Sequence, residues 1–92
     1  MSYSVINNLH GHRFEATVDG HVAVLSYQQV GRSITFIHTE VPQELTGRGV
    51  GSALAKAGLT YAREQGLQVI PSCEFVANYI KNHPEFANLL GS

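Results

Sequence analysis

The sequence predicts a single α/β domain, with a mixed, mainly antiparallel sheet that gives way to a strand–helix–strand–helix half. Three observations carry this. Alternating apolar and polar residues fill the first part of the chain between turn signals. After Pro42 the apolar period lengthens to helical spacing. The chain has 92 residues, enough for one domain and too few for two. A core of this size is modest, with a stability on the order of 5–10 kcal/mol.

The elements follow in order. Val5-Ile6 is a short apolar run suited to an edge strand. Phe14, Ala16 and Val18 alternate with Arg13, Glu15 and Thr17, the pattern of a half-buried strand. Asp19-Gly20 is a two-residue hairpin turn signal. A second strand covers residues 21–29, Val30-Gly31-Arg32 turns the chain, and a third strand covers residues 33–41. That third strand is apolar on both parities, Ile34 and Phe36 against Ile37 and Val41. Such a strand is usually central with layers packed on each side, and helices are expected to cover at least one face of the sheet. Val50, Leu54, Ala57 and Tyr61 then recur at helical spacing over residues 50–65. Arg63 in the last turn suits the helix dipole, and Gly66 sits where a C-cap belongs. Residues 67–70 form a short strand closed by Pro71. A second helix covers residues 74–82, with Phe75, Tyr79 and Ile80 on its buried side, and Pro84 breaks it. Residues 85–90 are a short apolar tail. The unit from residue 33 to residue 70 has crossover form, so its two strands should be parallel and joined right-handed.

Composition narrows the function classes. The net charge is -1, and the six basic residues are scattered, which argues against a nucleic-acid partner. Cys73 is the lone cysteine, so an intrachain disulfide and a Cys-rich zinc site are excluded. His10 and His12 could face one way on an extended segment, but no third ligand accompanies them; they read as turn residues, and no metal is expected. The N-terminal residues lack a secretory pattern, and no apolar stretch is long enough to span a membrane. A reduced, cytoplasmic setting and a monomer or weak homodimer are the expectations.

Central strand, Gly-rich turn and helix form a geometry for holding phosphate. Closely spaced glycines let backbone N–H groups converge, and the first turn of a helix adds unpaired N–H groups and the positive end of its dipole. Ser52 adds a hydroxyl at the helix start. The plain alternative is a tight strand-to-helix turn with no ligand. A P-loop is a poor fit because Gly51-Ser52-Ala53 lacks the lysine. A dinucleotide fingerprint is a poor fit because several antiparallel strands come first and no further glycine lies three residues after Gly51.

The turn Thr46-Gly47-Arg48-Gly49-Val50-Gly51, opening a helix with Leu54, resembles the acyl-CoA loop of the GNAT superfamily of N-acetyltransferases, whose pattern is Gln/Arg-x-x-Gly-x-Gly/Ala. Three further blocks resemble the small stand-alone GNAT-like family: Thr39-Glu40-Val41-Pro42, Tyr61-Ala62-Arg63-Glu64-Gln65-Gly66-Leu67 and Val69-Ile70-Pro71-Ser72-Cys73. The resemblance covers roughly residues 12–86. It implies a minimal GNAT-like fold, acetyl-CoA as co-substrate, and a CoA pyrophosphate bound by Gly47, Arg48, Gly49, Val50, Gly51 and Ser52. Thr46 departs from the family's Gln or Arg, which puts one side-chain contact in doubt and leaves backbone binding intact. Typical GNAT enzymes are also longer and build an acceptor-binding wall, so CoA binding is a firmer expectation than acetyl transfer.

Candidate reactive residues follow. Cys73 lies between a strand end and a helix start, where thiols can gain nucleophilicity, and it matches the cysteine typical of the small GNAT-like family. It is a candidate acetyl carrier; the alternative is a small core residue. His38 and Glu40 share one face at the end of the third strand, and either could deprotonate an amine, directly or through water. Their alternatives are a hydrogen-bonded sheet residue and a solvated charge. Tyr79 is placed like the tyrosine that protonates the leaving CoA thiolate in many GNAT enzymes, or is core. Asn78 and Lys81 on the same helix are candidates for touching pantetheine or phosphate. The leading function is an acetyl-CoA-dependent N-acetyltransferase acting on a small-molecule or protein amine, directly or through Cys73. The rivals are a non-catalytic CoA-binding or protein-interaction module, and a small α/β protein without CoA affinity.

Overall fold

The computed structural model describes residues 3–91. The chain runs β1 (Ile6–Asn8), β2 (Arg13–Val18), β3 (His21–Val30), β4 (Ser33–Glu40), α1 (Val50–Gln65), β5 (Gln68–Pro71) and α2 (Glu74–Asn82). Short 3-10 turns cover Gln43–Leu45 and Pro84–Leu89. The five strands form one sheet in the order β1-β2-β3-β4-β5. β1 to β4 pair antiparallel, and β4 with β5 parallel, because α1 carries the chain back across the sheet. The Asp19-Gly20 turn closes the β2–β3 hairpin directly, pairing Val18 with His21. The α/β fold class read from the sequence is the one observed.

Both helices pack on one face of the sheet. Leu25, Ile34 and Phe36 meet Leu54, Leu59 and Val76 there in a single core. At roughly 25 cal/mol per Å2, burying each such side chain contributes about 1.5–3 kcal/mol. α1 lies close to the sheet because Gly58 faces it; a Cβ there would stand 2.8 Å from Phe36 Cε1 and 3.3 Å from Leu25 Cδ2.

Two sequence expectations need correction. No layer among the described residues covers the second face of the sheet, and Ile37 is 49% exposed there. The double-parity apolar pattern has another cause. Tyr27 pairs with Phe36 but Ser26 pairs with His38, so Ile37 is an extra residue in β4. This bulge shifts the parity of everything after it. Phe75 is not on the buried side of α2; Val76 takes that place, and Phe75, 42% exposed, lies over Gly51 instead. The tail is ordered as a 3-10 turn that buries Phe86 and brings Leu90 beside Val69 of β5. No helix of the described residues is long and apolar enough to cross a membrane.

Candidate functional site

β4 ends at Glu40, and the loop to α1 is anchored by Leu45, which is buried. The Leu45 N–H donates to Pro42 O at 2.9 Å, and the Arg48 N–H donates to Leu45 O at 3.2 Å. Gly47 and Gly49 both adopt φ of 79°, the left-handed region. A Cβ at either would meet no protein atom within 4 Å, so the glycines serve backbone conformation beside open space.

Gly49 stands at the N-cap of α1 without any side-chain cap, and the first turn holds no acidic residue. The Ala53 N–H is the first to find a helical acceptor, Gly49 O at 3.1 Å. The N–H groups of Val50, Gly51 and Ser52 have no acceptor among the described residues. A 16-residue helix thus presents an uncapped positive end to the surface. Arg48 turns aside to the rim, pairing with Asp19 at 2.8 Å, while the Tyr3 hydroxyl donates to Arg48 O at 2.6 Å. The hydrogen bond to Asp19, ahead of Coulombic attraction, raises the guanidinium pKa and keeps it charged.

Two clefts meet at this helix end, and Gly49 and Ser52 line both. One, of about 300 Å3, lies between the end of β4 and the start of α2, bounded by Val41, Leu45, Thr46, Gly47, Val50 and Phe75. The other, of about 600 Å3, runs along the outer side of α1 past Lys56 and Thr60, with Tyr3, Tyr61 and Tyr79 at its edges.

Next to the smaller cleft the sheet forks. β5 pairs with β4 only from Ser33 to Phe36, and the last tie is the Cys73 N–H donating to Phe36 O at 2.8 Å. Beyond it, residues 37–40 of β4 have no strand partner on that side among the described residues. Cys73 is the N-cap of α2 and is buried, with Sγ 3.1 Å from Thr39 Oγ1. Thr39 pairs with Leu25 and so shares the helix-covered face, whereas His38 and Glu40 pair with Ser26 and Val24 on the open face. The fork therefore has Thr39 and Cys73 on one side and His38 and Glu40 on the other.

The remaining candidates lie apart. Tyr79 is not brought together with Cys73; it lines the α1 cleft, its ring stacked on His83 at 3.9 Å. Burial, and secondarily the charge of Glu85, pushes its phenol pKa above the ordinary value, so the proton stays on. Asn78 and Lys81 are exposed on the side of α2 away from Val76 and Tyr79, and neither lines a cleft. Among the described residues no group of three His, Cys, Asp or Glu is placed to hold a metal ion; His10 and His12 are exposed in the turn between β1 and β2. Sequence reasoning missed Thr39, whose facing depends on the bulge, and Lys56. The signal for Lys56 was present: it follows Ser52 by four residues on a helix.

Comparison with known proteins agrees with this architecture. Residues 13–89 match the family model described as GCN5-related N-acetyl-transferase. Protein NATD1 of Homo sapiens is 41% identical over 63 residues, covering 67% of this chain and 56% of that protein. Protein NATD1 of Gallus gallus is 41% identical, with 67% and 57% covered. The match thus spans little more than half the length of these relatives. The solution structure of a GCN5-like protein from Staphylococcus aureus superposes with a TM-score of 0.74 at 28% identity, over 99% of this chain and 90% of that one. A family match over most of the chain, on a sheet of the same fold, makes this protein a member of the GCN5-related N-acetyltransferase family.

Proposed function

We propose that the chain is an acetyl-CoA-dependent N-acetyltransferase that grips the CoA pyrophosphate at residues 47–52 and delivers the acetyl group to the fork between β4 and β5. The observation that carries this reading is the uncapped N-terminus of α1, whose unpaired N–H groups open onto space kept free by Gly47 and Gly49. A pyrophosphate there is bound by main chain and helix dipole, so Thr46 in place of a Gln or Arg is tolerable. The pantetheine arm follows the smaller, mostly apolar cleft between Val41 and Phe75 toward the fork.

The helices close one face of the fork, so the acceptor amine approaches from the open face, where His38 and Glu40 stand. The amine nitrogen attacks the acetyl carbonyl carbon, and the bond between that carbon and the CoA sulfur breaks. The amine's proton passes to Glu40 or His38, directly or through water, and the CoA thiolate is protonated from solvent. The burial of Cys73 and its contact with Thr39 support direct transfer over a thiol relay. The acceptor is a small-molecule or protein amine.

A second reading, a CoA-binding or interaction module without catalysis, draws on the second face of the sheet, where Val22, Ile37 and Ile70 are exposed and no acceptor wall stands among the described residues. An NMR titration with CoA and acetyl-CoA, followed by an acetyl-transfer assay against a panel of amines, separates the readings. The largest amide shifts should fall on Gly47 to Ser52, and Gly49→Val should abolish them. Shifts centred elsewhere, or none at saturation, would sink the CoA reading. Shifts without transfer to any amine would favour the module. Affinity should be on the order of micromolar or poorer, about -8 kcal/mol or less favourable.

A further inference from the structure

Ser52 and Lys56 stand one turn apart on the outer side of α1 and line the same cleft. At 1.5 Å per residue they are separated by about 6 Å along the axis, and Lys56 lies about 9 Å from Val50 at the helix end. Lys56 is exposed and forms no ion pair among the described residues, whose pairs are Arg13–Glu15, His21–Glu44 and Arg48–Asp19. The acid lining this cleft, Glu64, lies two further turns along α1. The neighbouring walls are apolar or aromatic: Val5, Ala53, Ala57 and Tyr61. The cleft thus sets the Lys56 ammonium, unpaired among the described residues, beside a partly apolar wall, and opens at the same Gly49 and Ser52 that border the smaller cleft.

We infer that the α1 cleft holds the adenosine end of CoA and that Lys56 reads the 3′-phosphate. The inference rests on the CoA reading of the loop and deepens it. A CoA molecule held by its pyrophosphate at residues 47–52 sends two arms in different directions, and two clefts leave that point. The smaller one leads to the fork and suits pantetheine. The larger one suits a purine against Tyr61 and the α1 alanines, with a phosphate dianion one helical turn below the pyrophosphate. Lys56 is the basic residue lining that cleft. An ammonium group acts there as a point charge, without need of a fixed planar fork.

The test compares CoA with 3′-dephospho-CoA by calorimetry on the intact chain, its Lys56→Met variant and its Lys56→Arg variant. The parent chain should bind CoA about five- to tenfold more tightly than 3′-dephospho-CoA at low salt, a preference that shrinks as salt is added. Lys56→Met should lose the preference and keep its affinity for 3′-dephospho-CoA, which also shows that the variant is folded. Lys56→Arg should retain the preference. Equal binding of the two ligands by the parent chain, or an undiminished preference in Lys56→Met, overturns the assignment of Lys56 and leaves the loop reading standing. Binding of neither ligand overturns the loop reading, and this inference with it.

Discussion

Thr39 Oγ1 and Cys73 Sγ lie 3.1 Å apart on the helix-covered side of the fork between β4 and β5. Thr39 reaches that side because Ile37 is an extra residue in β4, and Cys73 reaches it as the N-cap of α2.

The contact bears on whether the thiol carries acetyl. Cys73 is 7% exposed, and its sulfur is engaged with Thr39. Alkylation by iodoacetamide should be slower in the folded protein than after unfolding in urea. Incubation with acetyl-CoA should leave no acetyl adduct in the intact mass. Cys73→Ala should retain transfer to within a few-fold and cost about 1 kcal/mol of stability. An adduct that disappears in Cys73→Ala, together with loss of transfer, would establish the relay instead.

The two clefts make a kinetic prediction about Glu40, His38 and Tyr79. Glu40→Gln, or the double variant with His38→Gln, should lower kcat by about 10²–10⁴-fold, the usual worth of a general base, with KM for acetyl-CoA little changed. Tyr79 lines the α1 cleft, so Tyr79→Phe should leave kcat in place and alter CoA affinity a few-fold at most. A large fall in kcat for Tyr79→Phe with none for the Glu40 variants would mean that the thioester lies in the α1 cleft and that the two arms of CoA are exchanged.

Much of this architecture was legible in the sequence. The strand periods, the Asp19-Gly20 turn and the helix between Val50 and Gln65 are set by local chemistry, and the parallel β4–β5 pairing follows from the crossover. The bulge at Ile37 was not legible. It answers the register between β3 and β4, a relation between distant residues, and within β4 alone it imitates a strand buried on both faces. Phe75 was misjudged for a similar reason. Its helix position is close to the buried stripe, but the space above Gly51, which lies on another helix, receives the ring. The motif glycines pointed to the loop, yet only the folded chain shows two clefts leaving it, one of them past Lys56.

Gly58 and Gly51 should respond differently to the same substitution. A Cβ at Gly58 would stand 2.8 Å from Phe36, a ring that is fully buried and cannot retreat. Gly58→Ala should therefore destabilise by about 1–2 kcal/mol despite the gain in helix propensity. A Cβ at Gly51 would stand equally close to Phe75, but that ring is 42% exposed and free to swing outward. Gly51→Ala should be neutral to within about 0.5 kcal/mol, the propensity gain offsetting the displacement. Urea denaturation of the two variants measures the contrast, and equal losses would show that Phe75 is fixed in place.

Tyr27 makes stability sensitive to alkaline pH. Its ring is buried in the core and its hydroxyl donates to Asn7 Oδ1 at 2.7 Å. Burial raises its pKa above the ordinary 10.0, outweighing the opposing effect of the Asn7 bond. A phenol that holds its proton more tightly when folded makes the folded chain bind more protons than the unfolded chain between the two pKa values. The stability is thus fully present below the unfolded value of about 10 and is lost as pH rises through the folded value. Tyr79 is shifted in the same direction, also mainly by burial, and adds to the effect. The urea midpoint should hold up to about pH 9.5 and fall beyond about pH 10. Tyr27→Phe removes one of the two groups. It should cost about 1 kcal/mol near neutrality through the lost hydrogen bond, and its midpoint should then fall less steeply in alkali. Comparing variant with parent at each pH isolates the share that Tyr27 carries. An alkaline slope unchanged by Tyr27→Phe would show that the phenol does not carry the loss.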